Sequence, residues 1–427
     1  MTYQVLTRKW RPQVFQEIVG QDHITRTLMN AISLGRINHA YLFAGPHGTG
    51  KTSTARILAK ALNCERGPNP TPCNECSNCL EIIRGESLDV LEIDGASNRG
   101  IDEVREIRER VGTSPMKGRF KVYIIDEVHM LTHPAFNALL KTLEEPPSHA
   151  VFIFATTDAE KVPLTIISRC QRFDFKKIAF SDIVARLEQI VKKEGISATS
   201  ESLYCMARAS ENSMRDAEKL LDQLISYTKG NIREDDVIQI SGMVEAEYLA
   251  NFTDKLYHRD PVSSIKLLHE LIERGKNPQW IIKGWLNWLR DVLMIKLGQM
   301  DFLSFSSSYK KLLETQSSYF SMGELVHFIN YLSGVENKIR FSSVPQIHLE
   351  VLLVKLCSRD SETEKLKEKS PELFALYKKI VDLEKKIADV APCSPLEEAE
   401  EKKKVSPEMI REVLTFADRK ADCDEAT

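Results

Sequence analysis

Five short apolar segments, rich in β-branched and aromatic residues, recur in the first 180 residues of the chain. They occupy residues 40–44, 90–93, 122–125, 151–155 and 172–175. Stretches with helical spacing of apolar residues lie between them, at 52–63, 102–111 and 134–143. Buried-type strands that alternate with helices are typical of a parallel sheet covered on both faces. We therefore predict an α/β domain with a parallel sheet over residues 1–178.

The pattern changes after this region, because only helical periodicity remains. Short helices are expected at 183–193, 200–209 and 214–227, which predicts a small all-helical domain over residues 179–243. Longer apolar stripes then predict a second all-helical domain over residues 244–358. Trp280, Trp285 and Trp288 fall within it, and we expect them to pack between helices.

A charged tail is predicted over residues 359–427, where Lys and Glu dominate. Five apolar residues recur there at steps of 3, 4, 3 and 4, namely Leu373, Leu376, Ile380, Leu383 and Ile387. This a/d spacing covers only about two heptads, which is short for a stable coiled coil. A docked interaction helix and a solvated, frayed tail both remain open.

Composition narrows the class of protein. The 427 residues predict two to four domains, and 42% hydrophobic with 28% charged residues is typical of a folded globular chain. No apolar run approaches the roughly 20 residues that span a bilayer, and the first residues lack the apolar core of a signal peptide. We therefore expect a cytoplasmic protein with no membrane contact. The net charge of −3 is not that of a strongly basic, nucleic-acid-binding chain, so any contact with DNA must come from a local patch or from an assembly.

A phosphate-binding loop is indicated directly after the first predicted strand. The sequence Gly45-Pro46-His47-Gly48-Thr49-Gly50-Lys51-Thr52 matches G-x-x-x-x-G-K-[ST] in full and opens a predicted helix. The glycines let backbone N–H groups approach phosphate oxygens, and the helix N-terminus adds partial positive charge. Lys51 would contact the β- and γ-phosphates of ATP and Thr52 would ligate Mg²⁺. The alternative is a chance match, against which the strand and helix in register argue. His47 occupies a variable position, where we expect little effect.

Two adjacent carboxylates end the strand predicted at 122–125. Asp126 would hold Mg²⁺ through a water molecule, and Glu127 would polarise the attacking water. Neighbouring residues of a strand point to opposite faces, so the two carboxylates suit different roles. A solvated acidic turn is the alternative interpretation.

The Asp-Glu pair resembles that of the additional-strand (AAA+) ATPases, in which nucleotide lies at a subunit interface. That resemblance implies three further roles. Thr157 ends the next strand and would sense the γ-phosphate and the attacking water. Arg169 follows shortly after, and Arg215 opens a helix of the small helical domain, where it would report the γ-phosphate. Either arginine taken alone would be a surface ion-pair residue.

Four of the nine cysteines lie within 16 residues of a proline-rich loop, namely Cys64, Cys73, Cys76 and Cys79. Four thiolates at short spacing suit a tetrahedral Zn²⁺ ion, with no position left open for catalysis, so we predict a structural zinc site over residues 64–79. An iron–sulfur cluster is the rival, since it also takes four thiolates.

Taken together, these motifs resemble the gamma/tau family of bacterial DNA polymerase III clamp-loader ATPase subunits. The resembling segments are 3–20, 38–52, the four-cysteine insert, 91–97, 118–147, 154–158 and the Ser168-Arg169-Cys170 triplet. The resemblance implies a hetero-oligomeric, five-membered ring that uses ATP to open a sliding clamp and place it on primed DNA. It also implies that Arg169 reaches the ATP of the neighbouring subunit, and that the third domain is a collar that closes the ring. The residues matching the adenine side of the family's pocket are Arg8, Arg11, Val19 and Gly20.

The sequence leaves competing functions open. A non-motor or weakly active structural subunit of the same ring is the runner-up, and a branch-migration helicase of the same superfamily is a third possibility. The complete set of Lys51, Asp126, Glu127 and Arg169 favours the motor. The family is filed with the DNA-directed DNA polymerase holoenzyme, yet no second carboxylate pair suggests a polymerase active site. The chain is short and gamma-like, without the extra C-terminal domains of long family members.

Overall fold

A five-stranded parallel sheet organises the first part of the computed structural model, which describes residues 4–298, 307–340 and 342–357. Its strands are β1 (Ala40–Ala44), β2 (Val90–Asp94), β3 (Lys121–Asp126), β4 (Ala150–Thr156) and β5 (Gln171–Asp174). They lie in the order β2-β3-β4-β1-β5, and every neighbouring pair is parallel. The five predicted strands and the parallel α/β class are thus confirmed.

Helices cover both faces of this sheet. They are α1 (Leu6–Lys9), α2 (Asp22–Ser33), α3 (Lys51–Asn63), α4 (Ser77–Arg84), α5 (Ile101–Val111), α6 (His133–Glu144) and α7 (Leu164–Ile167). Alternate residues of β1 enter the two layers of the first core, which lie on opposite faces of the sheet: Tyr41 and Phe43 pack with α2 and α3, and Leu42 packs with α5 and α6. All of β1 is buried, as expected for a central strand of a sheet covered on two sides.

A second apolar core follows in the chain, formed by four helices. They are α8 (Phe180–Glu194), α9 (Ser200–Ala209), α10 (Met214–Thr228) and α11 (Glu234–Ser241). The structure adds a parallel pair, β6 (Ser197–Ala198) with β7 (Asn231–Ile232), which was not predicted. Two-residue strands are too short to show a period of two in sequence. Leu6 of α1 is buried in this second core, so the N-terminal segment bridges the two parts of the chain.

Six longer helices form a third core. They are α12 (Ala246–Tyr257), α13 (Pro261–Glu273), α14 (Pro278–Lys296), α15 (Ser307–Ser317), α16 (Met322–Arg340) and α17 (Pro345–Cys357). Trp285 and Trp288 are buried there as predicted, and their indole nitrogens donate to Thr253 Oγ1 at 3.1 Å and Gln316 Oε1 at 2.8 Å. Trp280 is only half-buried.

A partly buried ion pair joins the second core to the third. Arg208 of α9 lies 3.1 Å from Asp291 of α14, and it also hydrogen-bonds the hydroxyl of Tyr309 on α15. Asp291 is almost fully buried, so its charge depends on this partner. Among the described residues, no helix is both long enough and apolar enough to cross a membrane. The heptad predicted at 373–387 lies outside the described residues.

Candidate active site

The predicted phosphate loop connects β1 to α3. Gly45, Gly48 and Gly50 have φ angles of 148°, 74° and 98°, in the left-handed half of the Ramachandran plot that glycine tolerates. Gly48 is also required by space, because a Cβ atom there would lie 2.0 Å from Ser213 Oγ. The loop therefore lies directly against the N-cap residue of α10, and Thr49 stiffens it by donating to the Pro46 carbonyl at 2.9 Å.

Lys51 is buried at the start of α3 and folds back onto its own loop. Its Nζ donates to the carbonyl oxygens of Gly45 and Pro46, each at 2.8 Å. Burial lowers the pKa of this amine, while the nearby Glu127 and Asp126 carboxylates raise it. A phosphate oxygen is a stronger acceptor than a neutral carbonyl, so the ammonium group is held where it can exchange partners.

Thr52 and Asp126, each predicted to act on Mg²⁺, are in direct contact. Thr52 Oγ1 donates to Asp126 Oδ2 at 2.6 Å, which brings together two residues 74 positions apart in the chain. A hydroxyl and a carboxylate oxygen at this separation are the hard donors that Mg²⁺ takes in nucleotide sites. The donor set therefore fits the predicted magnesium ion.

Glu127 adopts a left-handed backbone conformation, with φ of 46°, at the turn after β3. Its Oε2 accepts from Thr157 Oγ1 at 3.2 Å and lies 3.4 Å from His129 Nδ1. His129 also lies 3.0 Å from Thr156 Oγ1, so the two hydroxyl-bearing residues that end β4 contact the glutamate or its histidine neighbour. Thr157 was predicted to contact the γ-phosphate and the attacking water; its contact with Glu127 and the presence of His129 were not predicted.

A cavity of about 350 Å³ opens beside these residues. Its walls include the predicted Arg8, Arg11 and Val19, together with loop residues 47–52, Asp126, Glu127 and Arg215. Gly20 does not line the cavity but backs onto its wall, since a Cβ atom there would lie 3.5 Å from Ile178. Gly45 and Pro46 lie behind the loop, where their carbonyls hold Lys51. Thr157 and Arg169 are not among the lining residues.

The start of α10 forms one side of the cavity. Arg215 Nη1 lies 3.4 Å from His47 Nε2, so the helix contacts the phosphate loop through a side-chain pair as well as through Ser213. The contact gives His47 a specific neighbour that the sequence motif alone did not indicate.

One carboxyl group in the wall was missed by the sequence analysis. Glu218, three residues after Arg215, is only 6% exposed and lines the cavity. Burial raises its pKa to about 7, although Arg186 and Arg11 act in the opposite direction. Burial likewise lowers the pKa of Arg11. Arg186 is fixed by donating to the Trp10 carbonyl at 3.2 Å.

Arg169 lies apart from the cavity of its own chain. Its guanidinium donates to Glu144 Oε1 at 2.6 Å and to the Thr165 carbonyl at 2.7 Å. A third of the side chain remains exposed. The residue is thus ordered at the surface between the ends of α6 and α7.

The four predicted cysteines converge. Their Sγ atoms all lie within 4.8 Å of one another, with Cys64 to Cys73 at 3.5 Å and Cys73 to Cys79 at 4.0 Å. A tetrahedral zinc site with bonds of about 2.3 Å has sulfur–sulfur edges of about 3.8 Å. Backbone N–H groups of Glu75 and Cys76 donate to Cys73 Sγ, the latter from 3.4 Å, and these hydrogen bonds lower the pKa of the Cys73 thiol to about 6. The cluster therefore fits a tetrahedral thiolate-bound metal.

Known families match three consecutive parts of the chain. Residues 20–179 match "DNA polymerase III, delta subunit", residues 182–230 match "DNA polymerase III clamp loader subunit, ATPase lid domain", and residues 232–369 match "DNA polymerase III subunits gamma and tau domain III". These boundaries fall close to the changes between the three apolar cores.

Individual relatives agree with these matches. DNA polymerase III subunit tau of Bacillus subtilis is 42% identical over 95% of this chain and 72% of its own length. The Escherichia coli subunit tau is 44% identical over 70% of this chain, but the match spans only 46% of that protein. DNA polymerase III subunit gamma of Buchnera aphidicola subsp. Acyrthosiphon pisum is 39% identical over 84% of this chain and 99% of its own length.

Among solved structures, the RuvB Holliday junction branch migration motor of Thermotoga maritima is similar over 58% of this chain and 79% of its own length. Its identity is 18% and its TM-score is 0.42. That score is too low to support an argument about function.

Proposed function

Because this chain belongs to the gamma/tau family of DNA polymerase III clamp-loader subunits, we propose that it is the ATP-driven motor of its clamp loader. ATP binding and hydrolysis would open a sliding clamp and load it onto primed DNA. The observation that carries this proposal is the 2.6 Å contact between Thr52 and Asp126 beside a buried Lys51. Glu127, held 3.2 Å from Thr157, would add the carboxylate that turnover requires beyond nucleotide binding.

The side chains divide the work of hydrolysis. Lys51 would leave the Gly45 and Pro46 carbonyls to contact the β- and γ-phosphates, while the loop N–H groups hold the remaining oxygens. Thr52 and Asp126 would hold Mg²⁺, which when bound neutralises charge on the phosphates. Glu127 would orient and deprotonate the attacking water, and Thr157 would position that carboxylate through its 3.2 Å hydrogen bond.

Arg169 would act on a neighbouring subunit. It lies outside its own cavity and is aimed by Glu144 and the Thr165 carbonyl. A guanidinium that is ordered yet exposed can reach a γ-phosphate across an interface, as arginine fingers do in other nucleotide hydrolases. This role requires the five-membered ring of clamp-loader subunits. Arg215 would report nucleotide to α10 from within the chain.

The cysteine cluster would bind Zn²⁺ as a structural ion. Cys64 directly follows α3, whose other end carries Lys51 and Thr52, so a closed four-thiolate site would fix the far end of this helix. The ion supplies loop stability when bound and takes no part in hydrolysis.

Three folding units would divide the tasks. We assign residues 1–178 to the ATPase core, 179–243 to a helical lid, 244–358 to a collar that closes the ring, and 359–427 to a charged tail. The separate apolar cores support this division. Leu6 of the N-terminal segment is buried in the core of the proposed lid, which supports a path by which nucleotide beside this segment would move the lid.

The decisive experiment measures ATP turnover of the full chain assembled with its ring partners, with and without clamp and primed DNA. Stimulation by clamp and DNA together is expected. Lys51→Ala should abolish nucleotide binding, whereas Arg169→Ala should keep binding and lose the stimulation only in the assembled ring. Arg172→Ala, which removes an exposed arginine of β5, is the matched control and should leave turnover unchanged. Weak turnover indifferent to clamp and DNA would instead identify a structural ring subunit.

A further inference from the structure

Glu218 is a carboxyl group in the cavity wall that Arg186 and Arg11 approach without forming an ion pair with it. It is more than nine-tenths buried and lines the cavity, yet it forms no hydrogen bond or ion pair with any residue in the described part of the chain. A ligand that fills the cavity displaces water from this carboxyl group, and leaving the group unpaired would then cost about as much as a lost hydrogen bond or more. A group of this kind in a ligand cavity indicates that the ligand supplies the missing partner.

The position of Glu218 identifies which part of a nucleotide it would meet. The helix α10 begins against the phosphate loop, where Ser213 touches Gly48 and Arg215 approaches His47. Glu218 lies one helical turn further on, about 4.5 Å along the axis from Arg215 and away from the phosphates.

Apolar side chains share the cavity wall with Glu218 and offer a surface for a base. Ile178, Val19 and Met214 contribute apolar surface to the same cavity. The charged groups nearest to the carboxyl group are Arg186 of α8 and Arg11 of the N-terminal segment. Most of the cavity lining is polar or charged, so these apolar side chains mark the part of the cavity where a base can pack.

We propose that Glu218 reads the nucleobase by accepting a hydrogen bond from the 6-amino group of adenine. The inference rests on the proposed function, since it assumes that the cavity takes ATP. Above the pKa of about 7, Glu218 is ionised and can only accept, so a purine with oxygen at position 6 would place an acceptor against an acceptor and leave both unpaired. A purine with hydrogen at position 6 would leave Glu218 alone. Sites that hydrogen-bond one substrate group discriminate strongly against analogues that lack it.

The experiment compares the affinity of the full chain for ATP with its affinity for purine riboside triphosphate, which lacks only the 6-amino group. The wild-type chain should prefer ATP by about tenfold or more, as expected for one hydrogen bond to a buried carboxyl group. Glu218→Leu should bring the two affinities together, because leucine offers no acceptor. Glu218→Gln should keep most of the preference, because its amide oxygen still accepts. Glu188→Leu, at an exposed glutamate of α8 outside the cavity, is the matched control and should behave as wild type.

The outcomes separate the two proposals. If wild type binds both triphosphates equally well, the cavity takes nucleotide but Glu218 does not read the base. An unchanged preference in Glu218→Leu would overturn the assignment in the same way. If wild type binds neither triphosphate, the proposed function fails and this inference fails with it. The wild-type comparison needs no variant, so it tests the inference even if the Glu218→Leu chain does not fold.

Discussion

Replacing Glu218 with glutamine removes a buried titrating group while preserving the shape of the side chain. Burial raises the pKa of this carboxyl group in the folded chain from 4.5 to about 7. In the unfolded chain the group returns to its ordinary value. The folded state therefore holds the proton more tightly, and wild-type stability declines as the pH rises from about 4.5 through about 7. The glutamine variant has no titrating group at this position, so its free energy of unfolding does not decline for this reason.

The magnitude follows from the difference between the two pKa values. The shift is about 2.5 pKa units, which corresponds to roughly 3 kcal/mol of unfolding free energy across the full window. Between about pH 5 and pH 8, the variant should gain roughly 2–3 kcal/mol relative to wild type. All other titrating groups are common to both chains, so their contributions cancel in the comparison.

Urea denaturation of both chains at several pH values, without nucleotide, measures this difference. Glu188→Gln provides the control, because Glu188 is exposed and its removal should give no pH-dependent gain. A stability difference between Glu218→Gln and wild type that stays constant from pH 5 to pH 8 would refute the reasoning. It would show that Glu218 is solvated in the folded chain.

Three further predictions address other parts of the structure. Gly48→Ala should weaken ATP binding, measured by titration calorimetry, by about tenfold or more, because the new Cβ meets Ser213 Oγ and the left-handed backbone is strained. Adding Ser213→Gly should restore part of this affinity. Cys73→Ser should lower bound zinc, measured by atomic emission, from about one ion per chain to near zero, and metal-free wild-type protein would contradict the zinc site. Asp291→Asn should cost about 2 kcal/mol in urea denaturation by leaving Arg208 with an uncharged partner, an effect that Asp235→Asn on the surface of α11 should not show.

The phosphate loop was predictable because its geometry is local. Eight consecutive residues carry the glycines, the lysine and the threonine, and the flanking strand and helix have strong apolar patterns. The cysteine cluster was predictable for the same reason, since its four residues lie on one short loop. The pairing of Thr52 with Asp126 spans a longer distance, but the carboxyl ends of parallel strands meet at one edge of a sheet.

Contacts between helices or loops that lie far apart in sequence were not predictable. Nothing in the sequence places His47 beside Arg215, or Arg169 beside Glu144, because each pair lies on elements whose relative position only the fold determines. Glu218 did leave a signal that was overlooked. It interrupts the apolar face of α10 beside Ala217 and Leu221, where a charged residue is unusual.

The order of strands in the sheet has a consequence for folding of the chain during its synthesis on the ribosome. The central strand β1 pairs only with β4 and β5. Ala40 pairs with Phe152, which is synthesised 112 residues later (152 minus 40). At about 5–20 residues per second, the wholly apolar segment Ala40–Ala44 stays without its neighbours for roughly 5–20 s of synthesis. Strand pairing of this kind cannot begin at the N-terminus and proceed along the chain. Nascent chains released before β4 emerges would expose an apolar strand with two free edges, so truncated products of this gene should aggregate or be captured by chaperones.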